Sequence, residues 1–511
     1  MTKQSQFTSV SGYPAILLLF ITIFLSALGF FTSFSVTAAV PAMQRDLGIS
    51  LDQVQWILNG FVISQSIFIL ISGSLSDRFG RRNILLLGLG IFGIATLLCG
   101  FSHTATQLIV FRVLQGVGSA LLIPQSLAII NTAYVSKIRG QVMGIWGGAS
   151  GALSLAAPLI GGATVDYLGW RSVFFMLLPL ILIALVLVVK FVPATTKSLS
   201  QSVDWAGTLV ISVSLFILSY GAAMLRSASY NPVLAVGTLI AGLALLPIFY
   251  VVERKQAQPL IDFSIFKSKE VIAANVFTLL LYTIVVIIPF LLTLYLQQLM
   301  GHSATRASLE QLPLAVTITL VTFLSGGWAD RFGAKRVLIV GASLVAVGCF
   351  WLSFLSTETG YWSIVFPGLI LMGLGFGIFV PGLSKAALDV PEEFSGMASG
   401  VNNSVSGLAA IFALSVLLGV MLFGFRRNLE QELSRQLLND DTAKTYLIEN
   451  STQLLNIEIP SSMTQTNKDA ARNSIQRAFL ESAKLQFLLL AGLATTGAIS
   501  TYLIFGSKQR S

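Results

Sequence analysis

Long apolar runs recur along the whole of this 511-residue chain and constrain its fold more than any other feature. Each run has roughly 18–25 residues, enough for a helix to cross the ~30 Å hydrocarbon core of a bilayer. Helices are required because backbone polar groups in lipid must be hydrogen-bonded within their own segment. Fourteen such runs, numbered spans 1–14, are predicted at residues 15–38, 56–75, 83–101, 106–128, 140–163, 171–191, 205–225, 232–252, 271–297, 309–328, 337–355, 362–382, 400–424 and 485–505.

The composition agrees with an all-α polytopic membrane protein. Hydrophobic residues make up 55% of the chain and charged residues only 10%, a balance that excludes a soluble protein of this length. Lysine and arginine concentrate in alternate loops and in the tails, while the short loops on the other side hold only Arg45, Arg171, Arg226 and Arg306. The positive-inside rule therefore predicts a cell (inner or plasma) membrane protein with both termini cytoplasmic. The net charge of +9 reflects this topology and implies no nucleic-acid partner.

A short charged turn between two spans occurs twice, half a chain apart. Residues of the first copy recur at a constant offset (330 − 77 = 253): Asp77, Arg78, Phe79, Gly80 and Gly88 return as Asp330, Arg331, Phe332, Gly333 and Gly341. A second repeat relates Leu114-Gln115-Gly116-Val117-Gly118 to Leu371-Met372-Gly373-Leu374-Gly375. Two related six-helix bundles are therefore predicted at residues 1–195 and 256–511, with an inserted pair of helices at 196–255. Parallel repeats of this kind place the substrate site near mid-membrane, where the halves meet.

The repeated turn resembles the loop signature of the major facilitator superfamily. Further motifs extend the resemblance to the fourteen-span drug:proton antiporter branch of that family, over nearly the whole chain outside 425–484: Trp56, Gly169-Trp170-Arg171, Asp204-Trp205-Ala206-Gly207 and Ala398-Ser399-Gly400-Val401-Asn402-Asn403. The resemblance implies the major facilitator fold, with two six-helix bundles plus two inserted helices and 14 transmembrane helices. It also implies proton-coupled efflux of drug-like or other amphiphilic small molecules by alternating access.

The repeated turn also supplies the residues of a predicted gate, or conformational switch: Gly73, Asp77, Arg78, Gly80, Arg81, Asp330, Arg331 and Gly333. Glycine permits a short turn between tightly packed helices. A carboxylate at this position can cap a neighbouring helix or pair with an arginine across the bundle, which would hold a cytoplasmic gate shut. The alternative is a turn whose arginines only set topology.

One basic residue, Arg112, is predicted inside a span, three residues before Gln115 on the same helix face. An intramembrane arginine is costly unless it faces a cavity or a partner, so Arg112 and Gln115 are candidates for a cavity charge or for proton coupling. The segment resembles the family's arginine motif of span 4, which is linked there to proton coupling. The alternative is a structural arginine hydrogen-bonded to backbone carbonyl groups.

Span 5 is rich in small residues and resembles the family's exporter motif through Gly144, Pro158, Gly161 and Gly162. Small residues allow close helix crossing, and the proline bends the helix. Ala157 and Leu153 stand where the motif has glycine, which weakens the inference of export. Ordinary helix packing is the other explanation of the same glycines.

Span 1 departs from the resembled branch, because Thr32 stands where that branch usually has an aspartate. No acidic residue is predicted in the middle of any span, and Glu310, in the first turn of span 10, is the nearest. A buried organic cation needs a desolvated counter-charge, so the sequence predicts a preference for neutral or anionic amphiphiles. Proton coupling would have to run through Glu310, Asp77 or Asp330.

The substrate pocket is expected to be apolar and aromatic, with a few amide and hydroxyl groups. Ten residues are candidates for it: Phe31, Thr32, Phe34, Trp56, Gln65, Trp146, Tyr282, Gln297, Asn402 and Asn403. Asn402 and Asn403 are also good candidates for hydrogen bonds between helices.

Residues 425–484 are predicted to form an extracytoplasmic region between spans 13 and 14. This region has equal numbers of basic and acidic residues. Leucines at helical spacing predict an amphipathic helix at 427–447, and 470–484 is predicted to form another. The region is expected to be a packed cap or a mobile insert, with gating of the pocket as the alternative.

Transport is the expected function, with the lipid bilayer, a small-molecule substrate and protons as partners and with protein partners left open. An uptake carrier or uniporter of the same fold and a non-transporting membrane sensor or scaffold are the alternatives. No enzyme, cofactor or metal is expected. Cys99 and Cys349 fall inside spans, His103 and His302 are expected in solvated loops, and no glycine-lysine phosphate loop occurs.

Overall fold

The computed structural model describes residues 15–134, 136–193, 204–224, 232–256, 263–356, 360–390, 395–436, 441–460 and 463–505. Within these ranges the chain forms helices and their connections, and no β-strand. The prediction of an all-α protein is thus confirmed.

Ten helices cover the first half of the described chain: α1 (Ala15–Leu47), α2 (Leu51–Phe79), α3 (Arg81–Gly100), α4 (Ala105–Ala120), α5 (Ile123–Ala133), α6 (Ser136–Leu168), α7 (Ser172–Phe175), α8 (Leu177–Phe191), α9 (Trp205–Met224) and α10 (Pro232–Glu253). Nine more follow: α11 (Lys269–Thr293), α12 (Ala304–Ser325), α13 (Trp328–Phe332), α14 (Ala334–Leu352), α15 (Phe366–Ala387), α16 (Ser395–Phe412), α17 (Leu418–Gln436), α18 (Asp441–Glu449) and α19 (Gln465–Ile504). π-helical segments occur at Leu294–Leu299, Tyr361–Val365 and Ala413–Leu417.

Each predicted span coincides with one helix or with consecutive helices. Among the described residues, nine helical stretches are long and apolar enough to cross a membrane. Two shorter apolar helical stretches lie at Ala206–Leu218 and Gly237–Glu253. The chain is therefore a polytopic membrane protein. The count of fourteen crossings stays a prediction.

The chain folds into two compact units. The first contains Met1–Ala39, Ile57–Phe216 and Gly242–Asp262, and the second contains Val40–Trp56, Ile217–Ala241 and Phe263–Ser511. The first unit has an apolar core in which Leu25, Phe61, Leu89, Phe92 and Leu177 are buried. Because lipid is as apolar as these side chains, close van der Waals packing holds such a bundle together more than burial from water does.

The sequence repeat returns as a repeated contact between helices. A methyl group on Gly116 of α4 would collide with the Phe61 carbonyl oxygen and the Ser64 hydroxyl of α2. A methyl group on Gly373 of α15 would lie 2.6 Å from Thr317 Cβ and 3.2 Å from the Leu314 carbonyl oxygen of α12. The contacted residues keep the offset of the charged turns (314 − 61 = 253 and 317 − 64 = 253), and the two glycines keep the offset of the second repeat (373 − 116 = 257). Corresponding helices therefore cross at corresponding residues in the two units.

The region at 425–484 is largely helical, and its helices continue from the membrane spans. The helix α17 runs on to Gln436, with Leu429 and Leu433 fully buried, and α19 is one uninterrupted helix of 40 residues. Leu437 and Leu438, which the predicted amphipathic helix includes, lie outside the described residues. Helices are thus found at both predicted places: the predicted helix at 470–484 lies inside α19, and the one at 427–447 overlaps α17 and α18.

Candidate substrate and proton sites

The two charged turns share a backbone conformation that only glycine adopts readily. Gly80 has φ 89° and ψ 136°, and Gly333 has φ 82° and ψ 145°. Each ends one helix and starts the next, so the chain reverses within a single residue. An L side chain at either position would be strained.

A basic side chain of each turn contacts a later helix of its own unit, α8 in the first and α19 in the second. Arg82 donates a hydrogen bond to the Val189 carbonyl oxygen near the end of α8, at 2.6 Å. Its counterpart Lys335 lies 4.4 Å from the centre of the Tyr502 ring on α19. These contacts tie the turn to the bundle in both units.

The acid of the second turn forms an ion pair with a lysine, whereas the sequence predicted either a cap on a neighbouring helix or an arginine partner. Lys385 Nζ, near the end of α15, lies 2.5 Å from Asp330 Oδ1, and both side chains are well exposed (52% and 76%). An exposed pair of this kind contributes only ~0–1 kcal/mol to stability. Its effect is therefore to link α13 to α15 and not to hold the unit together.

For the other gate candidates the structure shows contacts with rings and positions in helices. Arg78 and Arg331 are exposed and each lies over the ring of the following phenylalanine, at 5.6 Å and 5.2 Å from the ring centre. Arg81 begins α3 and is half-buried. The side-chain surroundings of Gly73 and Asp77 lie outside the described part of the structure, so the predicted role of Asp77 stays a prediction.

Arg112 is buried, with 1% of its surface exposed, and neutral groups bind it. Its Nε donates to the Ile57 carbonyl oxygen at 3.2 Å, and Nη1 donates to Gln115 Oε1 at 2.6 Å. The guanidinium carbon lies 4.3 Å from the centre of the Phe61 ring, a cation–π contact. Gln115 in turn donates to Thr96 Oγ1 at 2.7 Å. A positive charge is thus stabilised by dipoles and a ring, and no carboxylate among the described residues forms an ion pair with it.

The polar groups of α4 continue toward its C-terminal end. Gln65 on α2 donates to Ser119 Oγ at 2.8 Å. Arg112, Gln115 and Ser119 are spaced by three and four residues, so they share one face of α4. Thr96 and Ser119 were not among the sequence candidates, although the spacing of Ser119 from Gln115 was a signal for it.

Glu310 forms a second charged cluster, in the second turn of α12, because this helix begins at Ala304 and not near residue 309. Its Oε2 lies 2.7 Å from His302 Nδ1, and its Oε1 accepts a hydrogen bond from Arg306 Nε at 3.1 Å. The side chains of His302 and Glu310 are mostly buried, 14% and 12% exposed, whereas Arg306 is 64% exposed. Tyr361 donates to the Glu310 backbone oxygen at 2.8 Å. His302 lies in the connection before α12, as predicted, but the prediction that it is solvated is wrong.

The glycines of span 5 bring α6 close to α1. A methyl group on Gly161 would lie 2.9 Å from the Ser35 carbonyl oxygen and 3.0 Å from Ser35 Cα. Pro158 lies inside α6 one turn earlier, and Gly162 is buried. The side-chain surroundings of Gly144 lie outside the described part. Close helix crossing, the packing role of this motif, is what the geometry shows.

The pocket candidates of the first unit are mostly engaged in contacts within the bundle. Thr32 is fully buried and donates to the Leu28 carbonyl oxygen of its own helix, at 2.9 Å. Trp146 donates to Ser26 Oγ at 3.1 Å and packs, as Phe31 does, against the apolar core. Phe34 is half-buried.

The remaining candidates lie in the second unit. Asn402 on α16 donates to Thr278 Oγ1 on α11 at 2.8 Å, so it does bond between helices. Asn403, its neighbour, is exposed. The rings of Trp56 and Tyr220 lie 6.3 Å apart, and Tyr282 and Gln297 are half-buried.

The described residues contain no group of three or more histidine, cysteine, aspartate or glutamate side chains placed to hold a metal ion. Cys99 and Cys349 are buried free thiols.

Known proteins resemble this chain in sequence and in fold. The family model of the Major Facilitator Superfamily matches residues 19–414. The tetracenomycin C resistance and export protein of Streptomyces glaucescens is 31% identical over 389 residues, which cover 76% of this chain and 72% of that protein. Multidrug resistance protein 3 of Bacillus subtilis (strain 168) is 26% identical over 483 residues, or 93% and 92% of the two chains.

Among solved structures, a bacterial homologue of the human lysosomal transporter Spinster, inward-facing and unoccupied, has a TM-score of 0.61. It is 17% identical in sequence, and the match covers 98% of this chain and 100% of that one. This likeness concerns the fold alone. With the family match and the similarity to resistance and export proteins, it leads to one conclusion: the chain belongs to the Major Facilitator Superfamily and is a multi-pass membrane transporter.

Proposed function

We propose that this transporter exports lipophilic or amphiphilic small molecules in exchange for protons, by alternating access, and prefers neutral or anionic substrates to cationic ones. The proposal includes both termini on the cytoplasmic side, for which the positive-inside pattern is the support. Relatives named for tetracenomycin C resistance and export and for multidrug resistance support efflux. Arg112, a buried cation held by neutral partners, is the observation that carries the selectivity.

The selectivity follows from the electrostatics of Arg112. The charge is desolvated, and its neighbours Gln115, Ile57 and Phe61 supply dipoles and a ring but no opposite charge. In a medium of low dielectric constant the positive potential extends further than in water. A substrate cation is repelled by this potential, whereas an anion or a neutral molecule with a negative dipole end is attracted.

Glu310 is the carboxylate proposed for proton coupling. It lies within an apolar helix, it is largely shielded from solvent, and it is hydrogen-bonded to the titratable side chain of His302. A proton taken up by this pair changes its net charge and so changes the balance of forces with Arg306. Asp330 is less suited to coupling, because its carboxylate is 76% exposed and paired with Lys385.

The repeated turns are proposed as the conformational switch. The rigid reversals at Gly80 and Gly333 fix the direction in which each following helix starts. The Asp330–Lys385 pair is exposed and weak, so water can replace it at little cost when the helices move. A link that opens and closes at low cost is the kind that alternating access requires.

Substrate-driven proton movement tests the proposal. The purified protein would be placed in liposomes with a pH dye inside, and three compounds would be added: neutral N-phenyl-1-naphthylamine, anionic 8-anilinonaphthalene-1-sulfonate and a bis-quaternary ammonium cation. We expect proton movement with the first two. Movement driven only by the cation would overturn the selectivity. Substrate movement without protons would identify a uniporter, and movement of neither would favour a sensor or scaffold.

A further inference from the structure

A cavity of about 490 Å³ lies within the second unit, between the end of α11 and the start of α19. Its lining comes from the segment 455–459, from the first three turns of α19 and from Gln298 in the π-helical segment Leu294–Leu299. The volume lies within the ~300–1,000 Å³ of small-molecule sites in proteins. The positive-inside pattern places it on the extracytoplasmic side.

One wall of the cavity is aliphatic. Leu455, Ile457, Ile459 and Ile475 line it, and Ile457 and Ile475 are themselves buried. Such a wall accommodates a hydrocarbon or aromatic body but gives no preference among charges.

The other wall carries two cations on consecutive turns of α19, Lys468 and Arg472. Neither side chain forms an ion pair or hydrogen bond with any described residue. Asp469 also lines the cavity and accepts a hydrogen bond from Gln465 at 3.3 Å. The lining therefore carries a net charge of +1 (two cations, one anion). Arg477 differs, because it lies on the same helix outside the cavity and faces Glu432 at 3.8 Å.

Gln298 connects the cavity to the transmembrane helices. Its Nε2 donates to Gln44 Oε1 on α1 at 3.1 Å, while its Oε1 is buried with no donor among the described residues. A buried acceptor without a donor is rare in proteins and offers a place for an N–H or O–H of a ligand. π-helical segments are frequent at functional sites.

We infer that this cavity binds an amphiphilic organic anion: the aliphatic wall takes its apolar body, and Lys468 and Arg472 take its charge. On the proposed function, on which this inference rests, the cavity is a release site on the export route. Substrate occupies it after leaving the membrane. Binding to unpaired cations retains anions more than neutral molecules, because only the anion gains the charge-assisted contacts.

Equilibrium binding tests the site separately from transport, because no gradient is needed. The whole protein in phosphatidylcholine nanodiscs would be titrated with 8-anilinonaphthalene-1-sulfonate and with N-phenyl-1-naphthylamine, which share a fluorescent body and differ by the sulfonate. We expect Lys468→Gln/Arg472→Gln to raise the dissociation constant of the sulfonate by about tenfold. The dissociation constant of the neutral compound should change by less than about twofold.

Matched variants separate the charge effect from damage to the fold. Arg477→Gln removes the same charge from the same helix outside the cavity and should leave both constants unchanged, and Arg472→Lys should retain most of the sulfonate binding. The site would be overturned by any of three outcomes. Arg477→Gln could weaken sulfonate binding as much as the double variant does, or the double variant could weaken the binding of both compounds equally. The third outcome is that the wild type shows no saturable sulfonate binding. Replacing part of the phosphatidylcholine by phosphatidylglycerol tests whether the cavity binds an anionic lipid headgroup in place of an exported substrate. Competition by that lipid would overturn the assignment to exported substrate.

Discussion

Gly341 on α14 and Gly375 on α15 cross so closely that a methyl group on Gly375 would lie 2.5 Å from the Gly341 carbonyl oxygen. The first unit has the equivalent crossing, where a methyl group on Gly118 of α4 would lie 2.5 Å from the Phe92 amide nitrogen of α3. In both units the obstructing atoms belong to the backbone, which cannot rotate away. The internal duplication thus extends to the distance between helix backbones.

Gly375→Ala should therefore lower stability. Overpacking of this kind typically costs ~1–3 kcal/mol, since the two helices must separate. The loss of stability would be measured as a fall in the thermal midpoint of the purified protein. Size-exclusion chromatography of samples heated to different temperatures gives this midpoint. Gly492→Ala on α19 is the control, because nothing lies within 4 Å of its added methyl group. An unchanged midpoint for Gly375→Ala would contradict the close crossing.

Gly333→Ala should be destabilising for a different reason. Its φ of 82° and ψ of 145° form a conformation that costs an L residue ~1–3 kcal/mol. Gly327→Ala is a matched control six residues earlier, with φ −91° and open space around the added methyl group. The thermal midpoint should fall only in Gly333→Ala. A fall of similar size in both would show that the turn conformation is not the cause.

Gln115→Glu should change selectivity. It places a carboxylate 2.6 Å from Arg112 Nη1 and so neutralises the buried charge. The ratio of anion to cation transport should fall by about tenfold, equivalent to ~1.4 kcal/mol. Gln107→Glu makes the same change at an exposed position of α4 and should leave the ratio as it is. Transport rates of the naphthalene sulfonate and a quaternary ammonium in liposomes give the ratio. No change in Gln115→Glu would contradict the role of Arg112.

Glu310→Gln should abolish substrate-driven proton movement while leaving downhill substrate exchange. The amide keeps the shape of the side chain but neither gains nor loses a proton. His302→Gln should lower the rate of proton movement without abolishing it, because Glu310 remains. Arg306→Gln removes the cation on which the net charge of this pair acts, so it should also slow proton movement without abolishing it. Undiminished proton movement in Glu310→Gln would assign coupling to another group.

Reversing the Asp330–Lys385 pair tests the switch. Asp330→Lys and Lys385→Asp should each slow transport, and the double variant should recover it, because the attraction at 2.5 Å is restored with opposite polarity. All three should unfold within about 1 kcal/mol of the wild type, as expected for an exposed pair. A double variant no better than the single ones would mean that the pair has no part in gating.

The sequence predicted the fold well because lipid leaves few choices. Apolar runs in a bilayer must be helical, so spans such as 15–38 and 362–382 could be recognised without any knowledge of their neighbours. The duplicated turn was equally accessible, since Gly80 and Gly333 are needed by the backbone itself. Helix ends were harder to predict: α19 begins 20 residues before the predicted span because its outer part packs on protein and needs no apolar run (485 − 465 = 20).

The candidate sites were less predictable because they depend on partners far away in the chain. Nothing near Asp330 indicates Lys385, and Gln65 gives no sign of Ser119. His302 looked solvated because it precedes the apolar run by several residues. Only the early start of α12 brings Glu310 back toward His302.

The unbroken length of α19 gives the protein a mechanical property. At 1.5 Å per residue, Lys468 and Tyr502 lie about 50 Å apart along a single rod. The first lines the cavity near one end, and the second contacts Lys335 of the charged turn near the other. A tilt of about 5° would displace the far end of such a rod by about 4 Å. The cavity and the charged turn of this unit are thus joined by one continuous helix, so that a tilt of the helix moves both.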